Sequence, residues 1–112
     1  MFMDRVRRLK AEFFQALAHP NRLAIIDVLR EGELPVGVLC LRLGLEQANV
    51  SQHLAILKSR GLLDSRRDGN QVLYSVRDPL LFEVLDTVKR YAVAHLEEDL
   101  VMLREMKPES AS

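Results

Sequence analysis

Apolar side chains recur at helical spacing in five segments of the chain. Within each segment they lie three or four residues apart, so they form one face of a helix. The first four sets are Val6, Leu9, Phe13 and Leu17; Leu23, Ile26, Val28 and Leu29; Val36, Leu39, Cys40 and Leu43; and Val50, Leu54 and Leu57. The fifth set is Leu81, Leu85, Val88, Ala92, Leu96, Leu100 and Leu103. The pattern predicts four helices followed, after a gap, by one long helix.

Residues that start or stop helices separate these segments. His19-Pro20 separates the first helix from the second, because the residue before a proline avoids the α region while proline suits a first helical turn. A glycine ends each of the next three helices, at Gly32, Gly44 and Gly61. Asp78 is predicted to cap the last helix, with Pro79 at its first position.

The gap between the fourth and fifth helices is typical of a β-hairpin. Residues 62–67 and 71–76 are β-prone, and residues 68–70 between them tolerate the positive φ that a tight turn needs. Two short helices joined at Gly44 and followed by a hairpin are the element order of a winged helix-turn-helix, which reads DNA. We therefore predict a mainly α-helical fold of about five helices with a small two-stranded wing.

The fourth helix and the wing carry the side chains that suit contact with DNA. Glutamine and asparagine can pair with adenine, alanine can touch a thymine methyl group, and lysine and arginine bind phosphates. On the recognition helix, about residues 47–60, the predicted contacts are Gln47, Ala48, Asn49, Ser51, Gln52, His53, Lys58 and Arg60. On the wing, about residues 62–76, they are Arg66, Arg67, Asn70 and Gln71. The alternatives are a solvated helix face, a local capping role for His53 and an ordinary charged hairpin.

Charge is distributed unevenly although the formal net charge is zero. Residues 46–77 carry five basic and three acidic side chains, whereas residues 78–112 carry four basic and eight acidic ones. An acidic end thus cancels a slightly basic remainder. A local basic patch is what attracts phosphates, so a net charge of zero does not argue against binding DNA.

Length and composition fit one globular domain. The chain has 112 residues, 48% of them hydrophobic and 29% charged, as in an ordinary soluble protein. We expect a single domain over residues 1–107 and a flexible tail over 108–112. No apolar run is long enough to cross a membrane, and one cysteine excludes an internal disulfide. The sequence predicts a cytoplasmic protein with no membrane partner.

The terminal helices have more apolar surface than one small domain can cover. A homodimer in which both helices pack against their symmetry mates would bury it. The predicted interface residues are Val6, Leu9, Phe13, Leu85, Val88, Ala92 and Leu96. The alternative is a last helix that wraps around its own domain.

Four segments resemble the ArsR-type winged helix-turn-helix repressors. They are LAHPNRLAII at 17–26, ELPVGVL at 33–39, NVSQHLAILKSRGLL at 49–63 and RRDGNQVLYSV at 66–76. The resemblance implies a homodimer that binds an imperfect palindrome in double-stranded DNA and blocks transcription until a signal releases it. One departure is Glu46, where many relatives carry a small capping serine or threonine.

Many members of this family sense metals through two sites, and both sites lack their ligands here. The matching positions on the third helix hold Pro35, Gly37 and Val38. Those on the last helix hold Asp78, Leu80, Tyr91 and Ala94, of which Asp78 alone is retained. The sequence therefore predicts no cofactor and leaves a metal or redox effector open.

Two other features could sense a signal. His95, Glu98 and Asp99 share a face of the last helix and could bind a metal across a dimer, although a solvated surface is the more ordinary explanation. Cys40 is either a buried, inert thiol or a redox-sensitive one. His19 is predicted to be a helix-junction residue rather than a ligand.

Three classes of function are open to a domain of this kind. The first is a dimeric repressor with an unidentified inducer, or none. The second is a winged-helix module that binds proteins and not DNA; this class usually offers aromatic anchors, and the four phenylalanines all lie in the terminal helical segments. The third is an enzyme, for which no nucleophile–base pair, phosphate loop or metal cluster is visible. The sequence favours the repressor.

Overall fold

A computed structural model describes residues 1–106, so the tail predicted at 108–112 lies outside the described residues. The chain forms two compact units, one over residues 1–79 and one that begins at Leu80. The elements are α1 (Phe2–Leu17), α2 (Pro20–Val28), a 3-10 turn (Leu29–Glu31), β1 (Leu34–Pro35), α3 (Val36–Leu43), α4 (Gln47–Ser59), β2 (Leu63–Asp68), β3 (Gln71–Val76) and α5 (Leu80–Met106). The predicted five helices and hairpin are confirmed.

The helix ends follow the predicted signals with one small correction. The side chain of His19 caps α2 by accepting a hydrogen bond from the backbone N–H of Asn21, with Pro20 in the first turn. Gly44 ends α3 in the left-handed conformation, at φ 64°, which a residue with a Cβ adopts only at a cost. The last helix begins at Leu80, one residue later than the predicted start at Pro79.

The core of the first unit is built from the inner faces of α2, α3, α4 and the start of β2. Its fully buried side chains are Ile25, Ile26, Leu39, Val50, Leu54, Leu57 and Leu63. Two expectations were wrong here. Ile25, absent from the predicted stripe of α2, is fully buried, while Leu23 is 38% exposed. Cys40 is half-buried rather than buried.

The wing is part of a three-stranded antiparallel sheet with the strand order β1-β3-β2. The prediction of a two-stranded wing missed β1, which pairs Leu34 with Tyr74 and Pro35 with Leu73. The turn between β2 and β3 contains two residues, Gly69 and Asn70, and among the described residues positive φ occurs at glycines alone. Gly69 at φ 64° followed by a residue with negative φ is the pattern of a type II′ hairpin turn.

The second unit is the helix α5. A helix of 27 residues is about 40 Å long at a rise of about 1.5 Å per residue. Its exposed apolar side chains include Val88, Leu96, Leu100, Val101, Met102 and Leu103. Within residues 1–106, no helix combines the length and apolar character needed to span a lipid bilayer.

Candidate nucleic-acid interface

The outward face of α4 carries small and amide side chains in its first two turns. These exposed residues are Gln47, Ala48, Asn49, Ser51, Gln52 and Ala55. Three buried side chains, Val50, Leu54 and Leu57, fix the orientation of the helix by packing its opposite face into the core. In the part of the chain that the structure describes, the side chains of Ser51 and Gln52 form no hydrogen bond. Their polar groups are therefore available to the edges of bases.

The start of α4 lacks a side-chain cap. Glu46 occupies the N-cap position with extended backbone, and its carboxylate accepts no hydrogen bond from the first turn. Its backbone carbonyl accepts from the N–H of Val50 as the first helical bond. The first-turn amides are thus left without the acceptor that serine or threonine would supply, as the departure at this position predicted.

His53 is the clearest correction among the predicted DNA contacts. Its side chain is 8% exposed, and its Nδ1 accepts a hydrogen bond from Nε of Arg22 at 3.2 Å. The His53 ring lies against that of His19, with ring centroids 4.4 Å apart. Burial, together with the charges of His19 and Arg22, lowers the pKa of His53. The predicted DNA contact by His53 does not fit this burial, because its ring faces the protein interior.

Two residues at the start of α2 contact α4 and were missed by sequence reasoning. Asn21 donates from its side-chain amide to Oδ1 of Asn49 at 3.3 Å. Arg22 holds His53 through Nε and donates from a terminal nitrogen to the carbonyl of Ala16 at 3.0 Å, where α1 ends. Both partners on α4 are about thirty positions away in the sequence, so no local pattern could have revealed them.

The basic residues at the end of α4 lie in different surroundings. The ammonium of Lys58 donates to the hydroxyl of Ser65 on β2 at 2.6 Å, which joins α4 to the wing. Arg60 lines an open pocket of about 300 Å³ together with side chains of α1 and with Leu62. Both residues are exposed. Their contact with phosphates stays a prediction.

The two wing arginines are not equivalent. The guanidinium of Arg66 is clamped by Glu33, with Nε 2.9 Å from both carboxylate oxygens and a terminal nitrogen on one of them. This ion pair lowers the pKa of Glu33 and raises that of Arg66. The side chain of Arg67 is exposed and, among residues 1–106, has no ion-pair or hydrogen-bond partner. Successive strand residues point to opposite faces, so Arg67 shares the face of Ser65 and Arg66 the other face.

The tip of the wing is also exposed. Asn70 lies in the turn and Gln71 begins β3, where it pairs with Asp68. Neither side chain has a hydrogen-bond partner within the described chain. An exposed tip with free amides and one unpaired arginine can follow a groove or a phosphate backbone.

The candidate sensor residues of α5 lie on an exposed helix surface. His95 Nδ1 lies 3.7 Å from a carboxylate oxygen of Glu98, and both side chains are largely exposed. The His95 ring is parallel to that of Tyr91, with centroids 6.1 Å apart. Over residues 1–106, no three side chains of histidine, cysteine, aspartate or glutamate are grouped to hold a metal, and Asp99 joins no such group.

The two metal sites that the resemblance implies do not fit the residues present. On the first site, Pro35 belongs to β1, while Gly37 and Val38 lie in α3, and none has a side-chain donor. On the second, Leu80 and Ala94 are apolar and the phenol of Tyr91 replaces a stronger ligand. No step of the function is therefore assigned to a metal.

Comparison with known proteins places this geometry in a family. Residues 17–66 match a family model described as a helix-turn-helix domain. The chain is 38% identical over 101 residues to the HTH-type transcriptional regulator Rv0081 of Mycobacterium tuberculosis, covering 89% of each protein. It is 44% identical over 91 residues to the transcriptional repressor SmtB of the same species, covering 80% of this chain and 64% of that protein.

Solved structures agree with these relatives. The crystal structure of Rv0081 aligns with a TM-score of 0.72 at 42% identity, over 86% of this chain and 96% of that one. A homodimeric winged helix-turn-helix DNA-binding domain of Mycobacterium bovis, described as a possible ArsR-family regulator, aligns with a TM-score of 0.76 at 30% identity, over 86% and 89%. The chain therefore belongs to the ArsR/SmtB family of winged helix-turn-helix transcriptional regulators.

Proposed function

We propose that two copies of this chain bind an imperfect palindrome in double-stranded DNA and repress transcription there. The recognition helix α4 enters the major groove, and the β2–β3 wing contacts the flanking minor groove or phosphates. The observation that carries this proposal is the exposed face of α4, where Ser51 and Gln52 have no partner among the described residues. A surface of free amides and hydroxyls next to basic side chains suits base edges bordered by phosphates.

In this proposal, one basic residue of the wing contacts DNA and the other stabilises the fold. Arg67 is free for a phosphate or for the narrow minor groove, while Arg66 braces the wing against Glu33. Lys58, already at the junction of α4 and β2, is positioned for the backbone between the two grooves. As a regulator that acts on DNA, with bacterial proteins as its relatives, the protein is assigned to the cytoplasm.

The dimer uses the two terminal helices. In a single copy, Leu9 of α1 is 64% exposed, and Leu96 of α5 is 57% exposed. Val6, Phe13 and Leu85 are half-buried, and Ala92 and Val88 are exposed. Such a set of apolar side chains on two helices is more than a monomeric surface usually presents, and a symmetric contact would bury it. The relative from Mycobacterium bovis is itself described as homodimeric.

The test is fluorescence anisotropy with DNA from upstream of the protein's own gene and with scrambled DNA of the same length. The wild type should bind the upstream DNA selectively and with a steep salt dependence. Gln52→Ala should weaken selective binding by about 1–3 kcal/mol and leave scrambled DNA nearly unaffected. Gln15→Ala, an exposed glutamine on α1, is the matched control and should change neither.

The outcomes separate the proposal from its rival. If Gln52→Ala weakened binding to both DNAs equally, the Gln52 side chain would not be reading a base. No selective binding at any salt concentration would refute the repressor and favour a winged-helix module that binds proteins.

A further inference from the structure

Three side chains join the start of α2 to the recognition helix, and we call them the histidine latch: His19, Arg22 and His53. The buried ring of His53, on α4, accepts from Arg22 and lies 4.4 Å from the His19 ring, centroid to centroid. His19 itself accepts from the backbone N–H of Asn21 at 3.0 Å. Arg22 completes the latch by binding the carbonyl of Ala16 at the end of α1.

Both histidines of the latch use Nδ1 as an acceptor. A ring nitrogen accepts a hydrogen bond only when it carries no proton, so the His53 ring in this arrangement is neutral, with its proton on Nε2. A second proton on His53 would place an N–H against the N–H of Arg22.

The latch lies directly beneath the DNA-reading surface. His53 follows Gln52 in α4 and comes one helical turn after Asn49, which accepts from Asn21. The start of α2 therefore contacts α4 at two points one turn apart, along one stripe of the helix. Contacts at two points fix both the position and the rotation of α4 relative to α2.

We propose that the histidine latch positions the recognition helix for its operator, and that adding a proton to His53 releases operator DNA. The inference rests on the proposed function and adds a mode of regulation to it. His53 and Arg22 are positioning residues, since their side chains act on DNA only through α4.

The charged groups around His53 all disfavour its protonation. The titratable and charged groups that act on it are His19 and Arg22, both from the junction of α1 and α2, and both are cationic when charged. α1 adds the uncharged carbonyl of Ala16. No acidic group of the described chain compensates, so burial and these two residues lower the pKa of His53. Acid therefore works against the latch.

The direction and size of the effect follow from proton linkage. A histidine free of the latch has a pKa of about 6.5, so at about pH 5.5 it is roughly tenfold more protonated than neutral. Because burial and the neighbouring cations lower the pKa of His53 in the latch, fewer copies are protonated at that pH, and the loss of operator affinity relative to pH 7.5 is at most about tenfold per protomer. Binding to scrambled DNA should not weaken, because extra positive charge favours phosphates at any sequence.

The experiment measures operator and scrambled DNA binding by anisotropy between pH 5.5 and 7.5 at constant ionic strength. His53→Asn is the test variant, because asparagine can place an acceptor where Nδ1 lies but does not titrate. His95→Asn, which alters the one histidine outside the latch, is the matched control. The wild type and the control should lose operator affinity in acid, and His53→Asn should bind equally at both pH values.

A second measurement reads the latch without DNA. The nitrogen shifts of the three imidazoles in the free wild-type protein report which ring nitrogen carries the proton and where His53 titrates. The Nε2–H form of His53 and a His53 midpoint below about 6.5 are expected. This readout remains decisive if His53→Asn does not fold.

Each outcome has one meaning. Operator affinity that is flat in the wild type, or that falls equally in His53→Asn, overturns the proposal. An Nδ1–H form of His53 in the free protein also overturns it. An intact latch by nuclear magnetic resonance combined with no selective DNA binding at any pH would refute the proposed function and, with it, the role of the latch in operator release.

Discussion

Arg67→Gln is expected to weaken DNA binding in a salt-dependent way, whereas neutralising the pair Glu33 and Arg66 together is not. Arg67 is exposed and has no partner among the described residues, so its charge is available to a phosphate. Arg66 is already held by both carboxylate oxygens of Glu33. Removing the pair deletes one positive and one negative charge, so the charge that faces DNA does not change.

The magnitude follows from counterion release. Each phosphate contact contributes about 0.9 to the slope of log affinity against log salt concentration, so a dimer that loses two contacts should lose about 1.8. Over a fourfold change in salt concentration, this slope difference corresponds to about a tenfold change in the ratio of wild-type to variant affinity. Glu33→Gln combined with Arg66→Gln should leave the slope within the error of the wild type.

The assay is anisotropy of labelled operator and scrambled DNA across a salt series for the wild type and both variants. Because phosphates are the same in every sequence, Arg67→Gln should lower the slope equally on the two DNAs. The reasoning fails if the paired variant lowers the slope as much as Arg67→Gln. It also fails if Arg67→Gln leaves the slope unchanged, since the free arginine would then not be at a phosphate.

Two further predictions concern the core and the dimer. Leu54→Ala, at a fully buried position, should lower the free energy of unfolding in urea by about 2–5 kcal/mol, whereas Leu41→Ala, at a position 85% exposed, should change it by less than about 0.5 kcal/mol. A similar loss in both would mean that α4 is not anchored as described. Leu96→Glu should convert a dimer to monomers in sedimentation velocity, because a symmetric interface would bury two unpaired carboxylates, while the exposed Glu97→Gln should not. A Leu96→Glu protein that stays dimeric would exclude this part of α5 from the interface.

The sequence predicted the elements well because each has a strong local cause. Val50, Leu54 and Leu57 recur at helical spacing, and all three are fully buried. The glycine at 44 and the turn at 69 mark positions where the backbone needs positive φ, and both predicted breaks are confirmed. Spacing and turn chemistry act over a few residues, so they can be read without the rest of the chain.

The features that the sequence missed are set by contacts between distant parts of the chain. His53 lies at the flank of the α4 face, where a helical wheel alone allows either solvent or core. Its partner in the folded chain is Arg22, which is 31 positions away in the sequence. Glu33 forms its ion pair with Arg66 and not with the neighbouring Arg67, although 33 positions separate the two partners in the sequence. The strand β1 is two residues long and contains Pro35, so its periodicity carries no signal. Each of these assignments needs the fold before it can be made.

The position of β2 in the sheet has a consequence for the unbound protein. β2 forms an edge of the sheet, and within residues 1–106 it pairs with β3 alone, so the N–H and C=O groups of its other side could accept a strand from another molecule. Four of its six residues are charged, at Asp64, Arg66, Arg67 and Asp68. Charged side chains on an edge strand oppose sheet-to-sheet aggregation. Arg67, the β2 side chain proposed to meet DNA, thus also helps to keep free copies from pairing strand to strand, and apolar replacements along β2 should favour fibrous aggregation of the unbound protein.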